Sequence, residues 1–404
     1  MQKSAHAAAP SSNASPPDAD ARLPIVVHSH LRWDFVWQRP QQILSRLAKD
    51  HRVAFIEEPV FQHGETQLDI TEPSANIVRI VPRLPQGGFA GTDAQCAEIL
   101  PHLERAFHEH PLLAGSFERV IHWFYSPSVA PAFLGKFDAA AVVYDCMDEL
   151  SMFRFAPADL VQREAELLAA ADVVFTGGYQ LFTRKSALHD NVHFYGCGVD
   201  SDHYAKARQP ETRVPADVEQ LPHPIVGYFG VIDERLDYGL IEELAAAFDT
   251  GSVVMIGPFA KVDPATLPKR ANLHWLGQRA YDELPAYVKA FDVCLMPFAL
   301  NDATRNINPT KTLEYMAAGK PIVSTAVADV VRNFTPIVQV AKSSTEFVDL
   351  AVQACVAPDA ALIASGIERA RAATWEMMVE AMRDHMLAAV AANRVPAAAQ
   401  TALA

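Results

Sequence analysis

The chain has 404 residues, half of them hydrophobic and a fifth charged. That profile fits a globular enzyme and excludes a disordered or fibrous protein, and the length calls for two cores rather than one. A formal net charge of −14 argues against nucleic acid as the main partner, because phosphate binding needs basic surface. The five cysteines are scattered singly and odd in number, so no disulfide framework or paired metal motif is expected, and a reducing, cytoplasmic compartment is the simpler reading.

Residues 1–22 are rich in Ala, Ser, Pro and Asp without an apolar run and read as a disordered tail, not a secretory signal or membrane anchor. The first folded unit is expected over 23–205. It opens with an apolar run from Leu23 that ends in His28, Ser29 and His30, the pattern of a buried parallel strand whose carboxyl edge faces a site. A helix is predicted from Arg39 to Asp50, with Pro40 in its first turn and Ile43, Leu44 and Leu47 as its apolar stripe. Strand-like runs follow at 53–56, 77–81, 119–124 and 140–144, then a helix over 159–171 and strands at 172–176 and 192–195. This alternation predicts a doubly wound parallel sheet.

Residues 206–223 are polar, contain proline and lack periodicity, and read as the linker. The α/β pattern restarts over 224–374 with strands at 224–230, 252–256, 274–276 and 293–297. A helix over 375–392 is expected to carry Met377, Met378 and Met382 on an apolar face after the N-cap Thr374, and 393–404 form a second tail. No apolar stretch approaches the ~20 residues that span a bilayer.

The most informative segment is 308–325, in which Lys311 and Glu314 lie three residues apart on one face of a helix that ends at Gly319 before Pro321 and the strand Ile322–Val323. This segment resembles the donor site of the GT-B glycosyltransferases, specifically the family 4-like glycosyl transferases group 1. The resemblance extends over most of 23–392, and the segments 144–149 and 172–178 are similar to bacterial teichuronic-acid and surface-polysaccharide transferases. It implies an α/β fold of two Rossmann-like, doubly wound parallel-sheet domains facing across a cleft. The final helix would cross back to the first domain. The implied activity is transfer of a sugar, with retention, from a nucleotide diphosphate sugar to a hydroxyl of a glycan or lipid-linked acceptor. No cofactor or metal is required by this reading.

On the donor side the resemblance assigns Glu314 to the ribose and Lys311, with Arg235 in the loop that starts at Gly230, to the diphosphate. Thr310 and Asn308 flank the cation. The family's second glutamate is missing, with Arg305 to Asn308 in its place. On the first domain, Asp145 and Asp148 emerge at a strand end, where a carboxylate acts as base or stabilises an oxocarbenium-like transition state. His122, at another strand end, is a further catalytic candidate. His30, Trp33 and Arg39 are the acceptor-side candidates, since rings stack on sugars and arginine binds anions. Arg32 with Arg39 would also suit an anionic membrane surface, a peripheral contact where lipid-linked acceptors reside. Two rival readings remain: a nucleotide-sugar epimerase or hydrolase on the same fold, and a non-catalytic binding subunit.

Overall fold

The computed structural model describes residues 22–394, so the expected tails, 1–22 and 393–404, fall outside the description except for Arg22, Asn393 and Arg394. The first sheet is built from β1 (Ile25–Ser29), β2 (Val53–Glu57), β3 (Val60–Gln62), β4 (Gln67–Ser74), β5 (Ile77–Pro85), β6 (Arg119–Phe124), β7 (Asp138–Cys146), β8 (Val173–Thr176) and β9 (Val192–Phe194). Its strand order is β3-β5-β2-β1-β6-β7-β8-β9. The central strands β1 and β2 are buried along their whole length, as expected for parallel strands covered on both faces. Helix Arg39–Leu47 follows β1 and buries Ile43, Leu44 and Leu47. It ends before the predicted Asp50, which lies instead in the turn that follows.

The parallel reading misses one feature. β4 pairs antiparallel with β5, through a turn in which Asn76 adopts φ 65°, a conformation that asparagine tolerates better than most residues. β5 runs on to Pro85, beyond the apolar run that marks it in the sequence.

The second sheet holds β10 (Ile225–Phe229), β11 (Ser252–Ile256), β12 (Leu273–Gly277), β13 (Val293–Met296), β14 (Ile322–Thr325) and β15 (Gln339–Ala341). The order is β12-β11-β10-β13-β14-β15, and the described pairs are parallel. Two parallel-sheet α/β domains are therefore present. The segment between them is not featureless, because helix Ala216–Glu219 buries Val218.

Helix Trp375–Ala392 leaves the second domain and packs on the first sheet. Trp375, Val379, Met382, Met386 and Val390 join the core of Ile25, Val27 and Leu47. The Thr374 side chain accepts from the Met377 amide at 3.3 Å, as an N-cap does. Met377 itself is 59% exposed, so the apolar stripe begins at Trp375 rather than at the methionine pair. Among the described residues no single helix is long and apolar enough to cross a membrane.

Candidate active site

Parallel sheets present loops and side chains at the carboxyl ends of their strands, and here the two carboxyl edges enclose a cavity of about 470 Å³. Residues 33–39, Met147, Asp148 and Gly177 line it from the first domain. The second domain contributes Gly230, Arg235, Gly257, residues 278–281, Phe298, 308–311 and Glu314.

Lys311 is the first residue of helix Lys311–Ala317. Its ammonium lies 5.2 Å from the Tyr228 ring centroid and 5.6 Å from that of Phe298, and among the described residues no carboxylate pairs with it. Burial pushes its pKa down to about 8, with Glu314 opposing the shift and Arg235 adding to it. Glu314 is pushed up to about 7 by burial, against the pull of Lys311. A half-buried cation without an ion-pair partner, beside a carboxylate whose pKa burial has raised, is an arrangement that an anionic, hydroxyl-bearing ligand satisfies. Tyr204, fully buried, stacks on Phe229 with centroids 5.9 Å apart. Its hydroxyl lies beside Glu314; burial, and then Glu314, raise the phenol's pKa, while the phenol in turn favours the charged carboxylate. Nothing in the sequence marks Tyr204, which lies on the short helix Ser201–Ala205 just ahead of the linker and packs into the second domain's core.

Glycine opens the channel for the lysine. A Cβ on Gly230 would stand 2.8 Å from Lys311 Cε, and one on Gly257 would stand 1.8 Å from the Gly230 carbonyl oxygen. Both residues adopt positive φ, 145° and 149°, so the loops after β10 and β11 cross at a distance that only glycine permits.

Arg235 also faces the cavity, but it is bidentate to Asp233 at 2.7–3.0 Å. Its charge is therefore shared. Asn308 ties the domains together: its side-chain amide nitrogen donates to Gly177 O at 3.2 Å and its backbone carbonyl accepts from Cys197 Sγ at 3.2 Å. Thr310 lines the cavity beside Lys311.

On the opposite wall Asp148 reaches the cavity, its pKa pushed up to about 6 by burial, with Arg235 opposing and Asp233 reinforcing the shift. The backbone around it is clamped. The Gly177 amide donates to Cys146 O at 3.0 Å, and buried Glu149 accepts from Lys185 at 3.1 Å. Lys185 donates in turn to Glu164 at 2.7 Å, and Glu164 accepts the Tyr144 hydroxyl at 2.7 Å. This buried network has no signature in the sequence, since Lys185 lies on a short helix far along the chain.

The other first-domain candidates fare differently. Asp145 is fully buried and is bonded by Arg39 at 2.8–3.1 Å. Arg39 also donates from Nη1 to the Tyr195 and Gly196 carbonyls at 2.9 and 2.8 Å. The pair welds the start of the first helix to the end of β9, so Asp145 is no free base and Arg39 no free anion receptor, although Arg39 forms part of the cavity floor. His122 lies outside the lining. It packs against Phe124, Phe137 and His28 at 4.3–5.1 Å, and burial pushes its pKa down to about 3. His30 also lies outside the lining, its pKa pushed down to about 4 by burial and then by Lys261. Trp33 lines the cavity but is only 5% exposed, held edge-on against Phe55 and Trp37; Trp37 is the exposed ring. Arg32 is pinned to Glu57 at 3.1 Å and to backbone carbonyls, so the membrane-facing use suggested for Arg32 and Arg39 does not survive.

Two facing Rossmann-like domains, a cleft between their carboxyl edges and a terminal helix crossing back define the GT-B architecture. Residues 224–356, most of the second domain, match the family described as Glycosyl transferases group 1. A curated relative is the putative teichuronic acid biosynthesis glycosyltransferase TuaH of Bacillus subtilis (strain 168), 25% identical over 228 residues, which are 52% of this chain and 56% of that protein. The alignment thus spans little more than half of the relative's length. Among solved structures, sucrose-phosphate synthase from Thermosynechococcus elongatus superposes with a TM-score of 0.66 at 16% identity, covering 89% of this chain and 97% of its own. A UDP-forming α,α-trehalose-phosphate synthase from Burkholderia xenovorans, in complex with glucose-6-phosphate, gives 0.62 at 13% identity, covering 90% and 99%. These likenesses establish the fold.

Proposed function

We propose that the chain is a glycosyltransferase that passes a sugar from a nucleotide diphosphate sugar to a hydroxyl of a glycan or lipid-linked acceptor, in the assembly of a cell-surface polysaccharide. The observation that carries this is Lys311, a cation without a carboxylate partner among the described residues, in a two-domain cleft beside Glu314. A diphosphate supplies the missing charge and a ribose hydroxyl donates to the glutamate. The relative TuaH supports the polysaccharide role.

In the step proposed, the acceptor oxygen forms a bond to the anomeric carbon as the bond from that carbon to the phosphate oxygen breaks. The electron pair departs with the nucleoside diphosphate, whose growing charge is met by Lys311 and, in part, by Arg235. Asp148, ionised above about pH 6, faces the same cavity and either takes the acceptor proton or stabilises positive charge at the anomeric carbon while that proton passes to the departing phosphate oxygen. Retention of configuration is the outcome that the family resemblance implies. Closure of the two walls excludes water that would otherwise hydrolyse the donor.

The test is a thermal-shift screen of UDP-, GDP- and ADP-sugars, followed by incubation of the stabilising donor with and without acceptors. Selective stabilisation and acceptor-dependent release of the nucleoside diphosphate support the reading. Turnover of donor alone points to a hydrolase or epimerase, and binding without turnover points to a binding subunit.

A further inference from the structure

The cavity holds positive charge for one anion and not for two. Among the described residues four cations line it, Arg39, Arg235, Arg279 and Lys311. Three of them already hold carboxylates: Arg39 binds Asp145 at 2.8 Å, Arg235 binds Asp233 at 2.7 Å and Arg279 binds Asp217 at 2.8 Å. Arg279 also donates from Nε to the Tyr287 hydroxyl at 2.6 Å, which fixes its guanidinium on the second domain. Lys311 is left without a carboxylate, and the diphosphate of the donor takes it. A second phosphate in the same space would lose its hydration and meet no free cation, which is strongly unfavourable. The first-domain wall adds to the effect, because Asp148 reaches the cavity with a charge of the same sign as a phosphate.

That wall presents an aromatic face instead. Trp37 lies in the loop between β1 and the helix Arg39–Leu47, lines the cavity and is 38% exposed. Its ring is braced from two sides. Trp33 meets it edge-on, with centroids 6.0 Å apart and planes at 74°, and Tyr281 of the second domain stands 6.2 Å away at 41°. Tyr281 is itself fixed, stacked on His203 at 4.3 Å and bonded by the Gln42 side chain at 3.2 Å. A large exposed indole held in this way is a flat apolar platform, the kind of surface on which the C–H face of a sugar ring packs. Gln38, next in the chain, lines the same space and brings a neutral amide that suits hydroxyl groups.

We propose that the accepting sugar is an uncharged ring that stacks on Trp37, and that sugar phosphates are not acceptors. This rests on the glycosyltransferase reading of the cleft, since it is the donor that occupies Lys311. It places the reaction at the extension of a glycan through a neutral residue, and not at the addition of a sugar to one that itself bears phosphate.

Saturation-transfer NMR with matched ligands tests it. The methyl glycosides of glucose, galactose and mannose, each beside its 6-phosphate, are added to the full chain after the donor site has been filled with nucleoside diphosphate. Filling that site matters, because a sugar phosphate could otherwise bind at Lys311. At least one neutral glycoside should bind the wild type, and its 6-phosphate should bind at least about tenfold more weakly. Trp37→Ala should weaken binding of the neutral glycoside by about tenfold, the order of one stacked ring, and Trp37→Phe should keep most of it. Calorimetry should find nucleoside diphosphate affinity unchanged in both variants. Absence of binding by all the neutral glycosides, tighter binding by a 6-phosphate, or equal binding by Trp37→Ala overturns the proposal and leaves the glycosyltransferase reading standing. A loss of nucleoside diphosphate affinity in Trp37→Ala also overturns it, assigning the ring to the nucleobase. A wild type that binds no nucleoside diphosphate sinks the glycosyltransferase reading and this inference with it.

Discussion

The two walls of the cleft use their polar residues in opposite ways. On the second domain the residues that carry the sequence signal, Lys311 and Glu314, are left without strong partners and face the cavity. On the first domain the charged residues near the strand ends are consumed internally, Arg39 by Asp145 and Arg32 by Glu57, and His122 is turned away from the cavity among aromatic rings. A charged residue near a strand's carboxyl end thus marks a site only when it faces the cavity and folding leaves it without an ion-pair partner. The donor wall meets that test along one helix, whereas the acceptor wall meets it at Asp148 and adds the exposed ring of Trp37.

The comparison breaks most visibly at Asp148. Asp148→Asn is expected to lower kcat by about 10²–10⁴-fold while calorimetry finds donor affinity nearly unchanged; wild-type turnover would remove it from the mechanism. On the other wall, Lys311→Met should weaken binding of a nucleoside diphosphate by about 2 kcal/mol, the order of one charge-assisted bond, and leave the bare nucleoside unaffected. Equal losses for both ligands would count against a phosphate role.

Glu314→Ala should cost about 1–2 kcal/mol in affinity for the nucleoside itself, which separates it from Lys311. pH sharpens the contrast between the walls. As pH rises, activity should rise through about 6 as Asp148 ionises and fall near 8 as Lys311 loses its proton in the free enzyme. A flat profile of kcat/KM from pH 5 to 9 would contradict both assignments. Glu314 adds a stability signature. Its folded pKa lies above the ordinary carboxylate value, so the folded state holds the proton more tightly, and stability is lost as pH rises through about 7. Glu314→Gln should therefore raise stability at pH 8 by on the order of 1 kcal/mol, an advantage that fades below pH 7 and is gone near pH 4. The smallest effect is expected at His122→Phe, which keeps the aromatic packing and should change activity negligibly and stability by less than about 1 kcal/mol.

Much of this molecule follows from local pattern. The buried runs of β1, β2, β10 and β11 are continuous apolar segments, and a segment buried on both faces of a parallel sheet has to read that way. The helix that carries Lys311 and Glu314 announces itself by the closing Gly319 and the stop at Pro321, both consequences of backbone geometry. The β4–β5 hairpin was hidden because its exposed strand alternates weakly and its turn rests on a single Asn76.

What only the tertiary structure decided is partnership. Asp145 and Asp148 are three positions apart at the end of one strand, and nothing local distinguishes them. Arg39, 106 residues before Asp145, occupies one, while Lys185, holding Glu149 from 36 residues further on, helps leave the other facing the cavity. Tyr204 meets Glu314 for the same reason. Charge satisfaction is a property of neighbours in space, so the sequence determined which groups were present and where the strands and helices would lie, and the packing of distant segments determined which of those groups remained available for chemistry.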